Sequence, residues 1–185
     1  MKTEHELALA LKTMMSEMPL DDISVTSLSR RCHINRKTFY YHFHDIYDLL
    51  TLVFLDEKIE GTENAKDINQ LLKVIFEYYV KNAKFIDATL NSAGKELVQE
   101  FFYNNFYTNL LRIINNTPSG KKIHINDRKA IARYYAFAYS NTTIYYLSTY
   151  KTKTLSGLNN CFTFQNKTFL DDAIDNIAKM RGKTL

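Results

Sequence analysis

The sequence has no tryptophan, only 5 glycines and only 2 prolines in 185 residues. So few breakers count against a turn-rich chain, and with abundant Leu, Lys, Ala and Ile they predict long helices. Two cysteines, Cys32 and Cys161, cannot build a disulfide framework, which points to a reducing, cytoplasmic compartment. No apolar run approaches the roughly 20 residues that a spanning helix needs. No basic segment followed by an apolar one opens the chain, so a soluble, non-secreted protein without membrane contact is expected.

Much catalytic chemistry is missing as well. There is no glycine-rich phosphate loop and no nucleophile elbow. Four of the five histidines, His5, His33, His42 and His44, fall in the first quarter of the chain. His42 and His44 are two apart and share no helix face. No Cys or carboxylate completes a ligand set, so neither a metal nor a cofactor is expected. Asp171 and Asp172 sit where a helix begins, and capping accounts for them. The chain does not read as an enzyme.

What is present is aromatic: 13 Tyr and 12 Phe. That many phenol groups need water, a partner or a polar cavity. Net charge is +4 overall but unevenly spread. Residues 1–58 hold seven basic and nine acidic side chains and are net −2, while residues 59–185 are net +6. A nucleic-acid contact in the first part must therefore rely on a local patch.

The apolar spacing predicts an all-α chain. Leu7, Leu9, Leu11, Met14, Met15 and Met18 mark a first helix, with Thr3 and Glu6 as a capping box and Pro19 as its stop. Thr26 is the expected cap of a short second helix, Asn35 of a third and Asp45 of a fourth. Gly61 to Asn64 reads as a break. Helices are then expected near 67–82, from Lys84 to a stop at Gly94, at 95–116, from Asn126 or Asp127 to about 150, and from Thr168 to Met180. Residues 152–165 read as a polar loop. The expected boundary near residue 58 divides a helix-turn-helix head, 1–58, from a helical body, 59–185, with the fourth helix shared.

The stretch "SVTSLSRRCHINRKTFYYHF" carries four basic residues within 30–37, followed at once by a cluster of rings. At 3.6 residues per turn, Ile34, Phe39 and Phe43 point inward with Tyr40 supporting them. Arg36, Lys37 and Tyr41 lie outside. Two short helices joined by a three-residue turn suit the major groove, where Arg or Lys reads guanine and the Thr38 methyl meets thymine. Thr26 and Ser27 offer hydroxyls to a phosphate, and Tyr41 and His42 reach flanking phosphates. The plain alternative is a solvated charged helix beside a core aromatic cluster.

Residues 23–50, "ISVTSLSRRCHINRKTFYYHFHDIYDLL", resemble the DNA-binding head of the tetracycline-repressor-like (TetR/AcrR) transcription regulators. Val25 and Thr26 match the opening of that family's second helix, Leu28 and Ile34 match its apolar positions, and Cys32 stands at its small one. Lys37 through Phe43 follow its third-helix pattern without a gap, and Leu49 and Leu50 match its leucine pair. The resemblance departs at Ile46, where the family carries a phosphate-binding Lys, and at Cys32, where it carries Ala. The wording of the head is most similar to the subset that includes activators of dihydroxyacetone kinase operons.

The resemblance implies a sequence-specific regulator of double-stranded DNA, with base or near-base contacts from Arg36, Lys37, Thr38 and Tyr41. It implies phosphate contacts from Thr26, Ser27, Lys37, Tyr40 and His42. It also implies a homodimer through the helices near 127–150 and 167–180, and a small-molecule effector or protein co-regulator. The small residues Ala132, Ala136 and Ser140, four apart, fit the dimer or ordinary intrachain packing. Phe76, Tyr79, Phe102, Phe106, Tyr134, Phe137 and Tyr145 are candidates to line an effector cavity, with plain core as the alternative. The competing reading is a helical interaction or small-molecule-binding module whose head no longer binds DNA.

Overall fold

The structure, a computed structural model, describes residues 2–162 and 169–182. Thr168, the expected start of the last helix, lies outside the described residues, as do the side chains of Phe169 and Leu170. The fold is all-α. In chain order the helices are α1 Lys2–Met15, α2 Val25–Arg31, α3 Arg36–His42, α4 Ile46–Asp56, α5 Ile68–Lys81, α6 Ala83–Leu90, α7 Lys95–Asn116, α8 Ile125–Thr149, α9 Leu155–Asn160 and α10 Phe169–Gly182. The chain separates into two compact units, Met1–Lys58 with Tyr79–Phe101, and Ile59–Tyr78 with Phe102–Leu185.

In the first unit α1 packs against α2, α4 and α6, and α2 packs against α3. Helix α1 buries Leu7, Leu11, Met14 and Met15, a stripe at three- and four-residue spacing. Leu28, Phe39, Leu49 and Leu50 are also fully buried. Phe54 of α4 stacks on Phe85 of α6 at 5.1 Å between ring centroids. Each such side chain contributes about 1.5–3 kcal/mol by leaving water.

In the second unit α8 packs against α10. Arg112 of α7 donates from one guanidinium nitrogen to the carbonyls of Thr62 and Ala65, both at 2.8 Å, and so fastens the segment that leads into α5. The Tyr146 hydroxyl accepts from the Thr154 amide at 2.8 Å and donates to the Thr154 carbonyl at 3.1 Å, which closes the loop after α8. Gly157 permits this, because a Cβ there would fall 2.2 Å from that hydroxyl.

Several boundaries differ from those the sequence predicts. Helix α1 already includes Thr3, so Thr3 caps nothing, and the helix ends at Met15, well before Pro19. Ser24, not Thr26, caps α2: its hydroxyl accepts from the Ser27 amide at 3.1 Å, and Ser27 returns the bond. Helix α6 ends at Leu90 with Asn91 as its cap, short of Gly94. Helix α8 opens one turn position early, because the His124 ring accepts from the Asn126 amide at 3.2 Å. The polar stretch 152–165 contains α9, anchored by buried Leu158.

The small-residue ridge is buried within the chain: Ala132 and Ala136 are fully covered and Ser140 nearly so. It therefore serves packing inside the second unit, and a different face of α8 is left exposed. Among the described residues no helix is long and apolar enough to cross a membrane.

Candidate nucleic-acid interface

Helix α2 is built to stop sharply. Its last turn ends in a Schellman motif, in which the His33 amide donates to Arg30 at 3.2 Å and the Ile34 amide donates to Ser29 at 3.0 Å. His33 adopts the left-handed conformation this requires, with φ of 54°. Asn35 then accepts from the Lys37 amide at 2.9 Å and starts α3 in a new direction.

Within α3 the two sides separate cleanly. Phe39 is fully buried and Phe43 is 7% exposed, and their rings meet at 5.7 Å. On the other side Arg36, Lys37, Tyr40 and Tyr41 are all exposed, at positions i, i+1, i+4 and i+5. Tyr41, at 85%, is the most exposed of the large apolar side chains described. Tyr40 is 52% exposed, so it does not support the core as the pattern predicts. Its ring lies 6.0 Å from the Arg36 guanidinium, close enough to favour an outward Arg36 conformer by a cation–π contact.

The remaining candidates are less open. Thr38 is half-buried on the flank of α3. His42 is half-buried, and its Nδ1 lies 3.1 Å from Glu4 Oε1 on α1. It braces α3 against α1, and that nitrogen is closed to a phosphate. Thr26 is exposed on the first turn of α2, but the Ser27 hydroxyl donates to the Ser24 carbonyl at 2.9 Å and belongs to the cap.

Two basic residues at the end of α2 behave differently. Arg31 makes a forked pair with Glu17 at 2.8 and 2.9 Å, which holds the Glu17 carboxyl below its usual range. Arg30 is exposed and has no ion pair among the described residues. The sequence offers little to separate the two. The distinguishing signal is Glu17, fourteen positions before Arg31, in the turn after α1.

The start of α4 is negative. Asp45 accepts from the Asp48 amide at 2.9 Å, and Asp48 accepts from the His44 amide at 3.0 Å. These two carboxylates already satisfy the helix start, and Ile46 is turned into the core at 8% exposure. Burial, with the Glu6 carboxylate second, pushes the Cys32 thiol up, so it stays protonated and behaves as a small apolar group.

The candidate cavity residues divide. Phe76, Phe102 and Phe106 are buried in the second unit. Tyr79 is buried in the first, where its hydroxyl donates to Asp87 at 3.1 Å. Tyr134, Phe137 and Tyr145 are 69%, 54% and 61% exposed, so they line no enclosed cavity. Their positions on α8 are the solvent side of a helix whose other faces are filled. Burial, followed by the neighbouring Tyr135, pushes the Tyr139 hydroxyl well above its ordinary range, as expected for a phenol in the core. Among the described residues no three His, Cys, Asp or Glu side chains gather to hold a metal ion.

Residues 66–157 match a family model, TetR_C_8, described as "Transcriptional regulator C-terminal region". No curated protein matches the chain in sequence. Among solved structures, the chain is similar to one named "Dihydroxyacetone kinase operon activator DhaS", with a TM-score of 0.64 and 20% identity over 95% of this chain and 97% of that one. At that identity the likeness establishes the fold and no more. The family match thus covers just under half of the chain, and the structural likeness adds a shared all-helical fold.

Proposed function

We propose that the protein is a sequence-specific transcription regulator that binds double-stranded DNA as a two-fold dimer on a palindromic operator. The observation that supports this most is the two-sided α3. Arg36, Lys37, Tyr40 and Tyr41 stand outward while Phe39 and Phe43 fix the helix from behind. A helix of this kind enters the major groove, and a dimer places two of them one helical turn of DNA apart. Arg36 reads a base edge, with the Tyr40 ring limiting its wandering. Lys37, Tyr40 and Tyr41 meet phosphates or the groove wall, and Thr38 adds a methyl. Thr26 and Arg30 add phosphate contacts at α2. Residues 1–58 act as the DNA-binding head and 59–185 as the effector and dimerisation body.

The dimer forms through α8 and α10, and the exposed rings Tyr134, Phe137 and Tyr145 supply its apolar contact. The effector is a small molecule bound near the buried rings Phe76, Phe102 and Phe106, or a protein co-regulator. The protein named in the structural likeness is an activator of a dihydroxyacetone kinase operon, and this chain is assigned to that subset only as part of this proposal.

A second reading has a specific observation in its favour. The start of α4 carries Asp45 and Asp48 where a phosphate contact would help, and Ile46 supplies no charge. On that reading the head persists as a scaffold without DNA. Selecting bound fragments from the source genome separates the two. The regulator enriches a palindrome, and its affinity falls steeply with salt. Arg36→Ala then costs about 1–3 kcal/mol at one base position, while Lys37→Ala weakens all sequences alike if Lys37 meets phosphate. No enriched fragment, or an enriched one that Arg36→Ala with Lys37→Ala binds equally well, supports the scaffold.

A further inference from the structure

A cleft of about 430 Å³ opens in the first unit between the end of α1 and the junction of α5 with α6. That size lies within the range of roughly 300–1,000 Å³ typical of small-molecule sites. Its principal lining residues are Lys12, Ser16, Val80, Lys81, Lys84 and Phe85, and no carboxylate is among the residues that line it.

The three lysines are not equivalent. Lys12 is neutralised by Glu57, which receives it at 2.7 Å, and its ammonium lies 5.2 Å from the centre of the Phe85 ring. Lys81 and Lys84 are exposed and make no ion pair among the described residues. Beside them Val80 is 57% exposed, an apolar surface left uncovered at the mouth of the cleft. Two uncompensated ammonium groups thus share a concave site with an aliphatic side chain, in a unit whose residues sum to a negative charge. A neighbouring cleft of about 390 Å³ shares Ser16 and Lys84 but is lined by Glu17, Asp21 and Asp87 as well. The two are matched in size and opposite in charge balance, so anion preference belongs to the first alone.

We propose that this cleft binds a small organic anion, a carboxylate or phosphate ester on a short aromatic or aliphatic body. Lys81 and Lys84 hold the charged end, and Val80 with the stem of Lys12 covers the apolar end. Concave walls strengthen such attraction compared with lysines on an open surface. The site is separate from the buried rings of the second unit and from the outer face of α3, so it stands whether or not the protein binds DNA.

The test uses the full chain, ¹⁵N-labelled, titrated with phenyl phosphate at fixed ionic strength. Inorganic phosphate, benzoate and benzyl alcohol serve as separate arms. Saturable shifts of the Ser16 amide and of amides 80–85 are expected, with Lys81→Gln plus Lys84→Gln weakening binding at least tenfold. Benzyl alcohol and inorganic phosphate bind at least tenfold more weakly than phenyl phosphate. Benzoate separates the two head groups: binding comparable to phenyl phosphate supports the shared anion chemistry, and loss of it restricts the site to phosphate esters. Lys121→Gln plus Lys122→Gln, a control pair on the other unit, leaves binding unchanged. Shifts that never saturate, that follow every lysine on the surface, or that survive the Lys81 and Lys84 replacements overturn the site. Equal binding of inorganic phosphate overturns the apolar half of the proposal.

Discussion

Helices α3 and α8 draw on the same side chains, Tyr, Phe, Arg and Lys, and use them in opposite proportion. In the seven residues of α3 and its cap, Phe43, two rings are buried and two displayed, and Arg36 and Lys37 stand with the displayed pair. In the twenty-five residues of α8 three Tyr side chains are interior, three other rings on the helix are exposed, and the small residues are covered. The contrast shows what a pattern can reveal. Where anchors are isolated four apart, as Phe39 and Phe43 are, the outward face follows at once. Where rings occupy every face, only the packed chain decides which ones meet water.

The comparison breaks first at Phe39. Phe39→Ala removes a fully buried ring and should cost about 3–5 kcal/mol in denaturant unfolding of the full chain. Tyr41→Ala, on the displayed side, should stay within about 0.5 kcal/mol. Similar losses for both would mean that α3 does not have two distinct sides.

The entry into α8 is the next most sensitive point. Gly120 sits in the turn before it, and a Cβ there would lie 1.9 Å from the Ile114 carbonyl oxygen and 2.7 Å from Thr117 Oγ1. The carbonyl belongs to the last turn of α7 and cannot move aside as a flexible side chain would. Gly120→Ala should therefore lower stability by about 3 kcal/mol. A loss under about 1 kcal/mol would show that the turn relaxes and that α8 is not positioned by it.

Neighbours on α8 sharpen the contrast within one helix. Ala136 is fully covered and Phe137 is 54% exposed. Ala136→Leu overpacks the second unit and should cost about 1–3 kcal/mol. Phe137→Ser leaves the fold of the single chain nearly unchanged, yet sedimentation should show weaker self-association if the exposed rings form the dimer contact. Unchanged association removes Phe137 from that contact.

Much of this was legible in the sequence, and the failures share a cause. The all-α class, the caps at Asn35 and Asp45, the span of α7 and the inward pair in α3 depend on residues close in the chain, so local spacing is enough to place them. Spacing of 3.6 residues puts Tyr40 on the border of the buried side, and only the depth of the surrounding core decides that such a border ring is exposed. Thr26 looked like a cap because it precedes an apolar run, but Ser24 and Ser27 can satisfy each other and move the helix start back. His42 and Arg31 found partners in α1 or just after it, Glu4 and Glu17, which sequence distance hides. The ridge of Ala132, Ala136 and Ser140 announced close packing correctly and said nothing of which chain supplies the neighbour.

The smallest effect concerns the turn before α3, the counterpart of the one at Gly120. There a glycine is required because nothing larger fits. Here glycine would be preferred and histidine stands instead. His33 holds φ of 54° at the position just past the α2 cap, where both Schellman hydrogen bonds are made. The left-handed conformation costs an L-residue about 1–2 kcal/mol, and glycine avoids that while losing more freedom on folding. His33→Gly should therefore raise stability by about 0.5–1 kcal/mol net. The side chain is exposed, so little packing is lost with it. A higher denaturant midpoint with unchanged DNA affinity would show that the turn only sets the direction of α3. Lower stability would mean that the imidazole makes a contact that outweighs the backbone strain, and the turn before α3 would then be held by its side chain, as the turn before α8 is held by the lack of one.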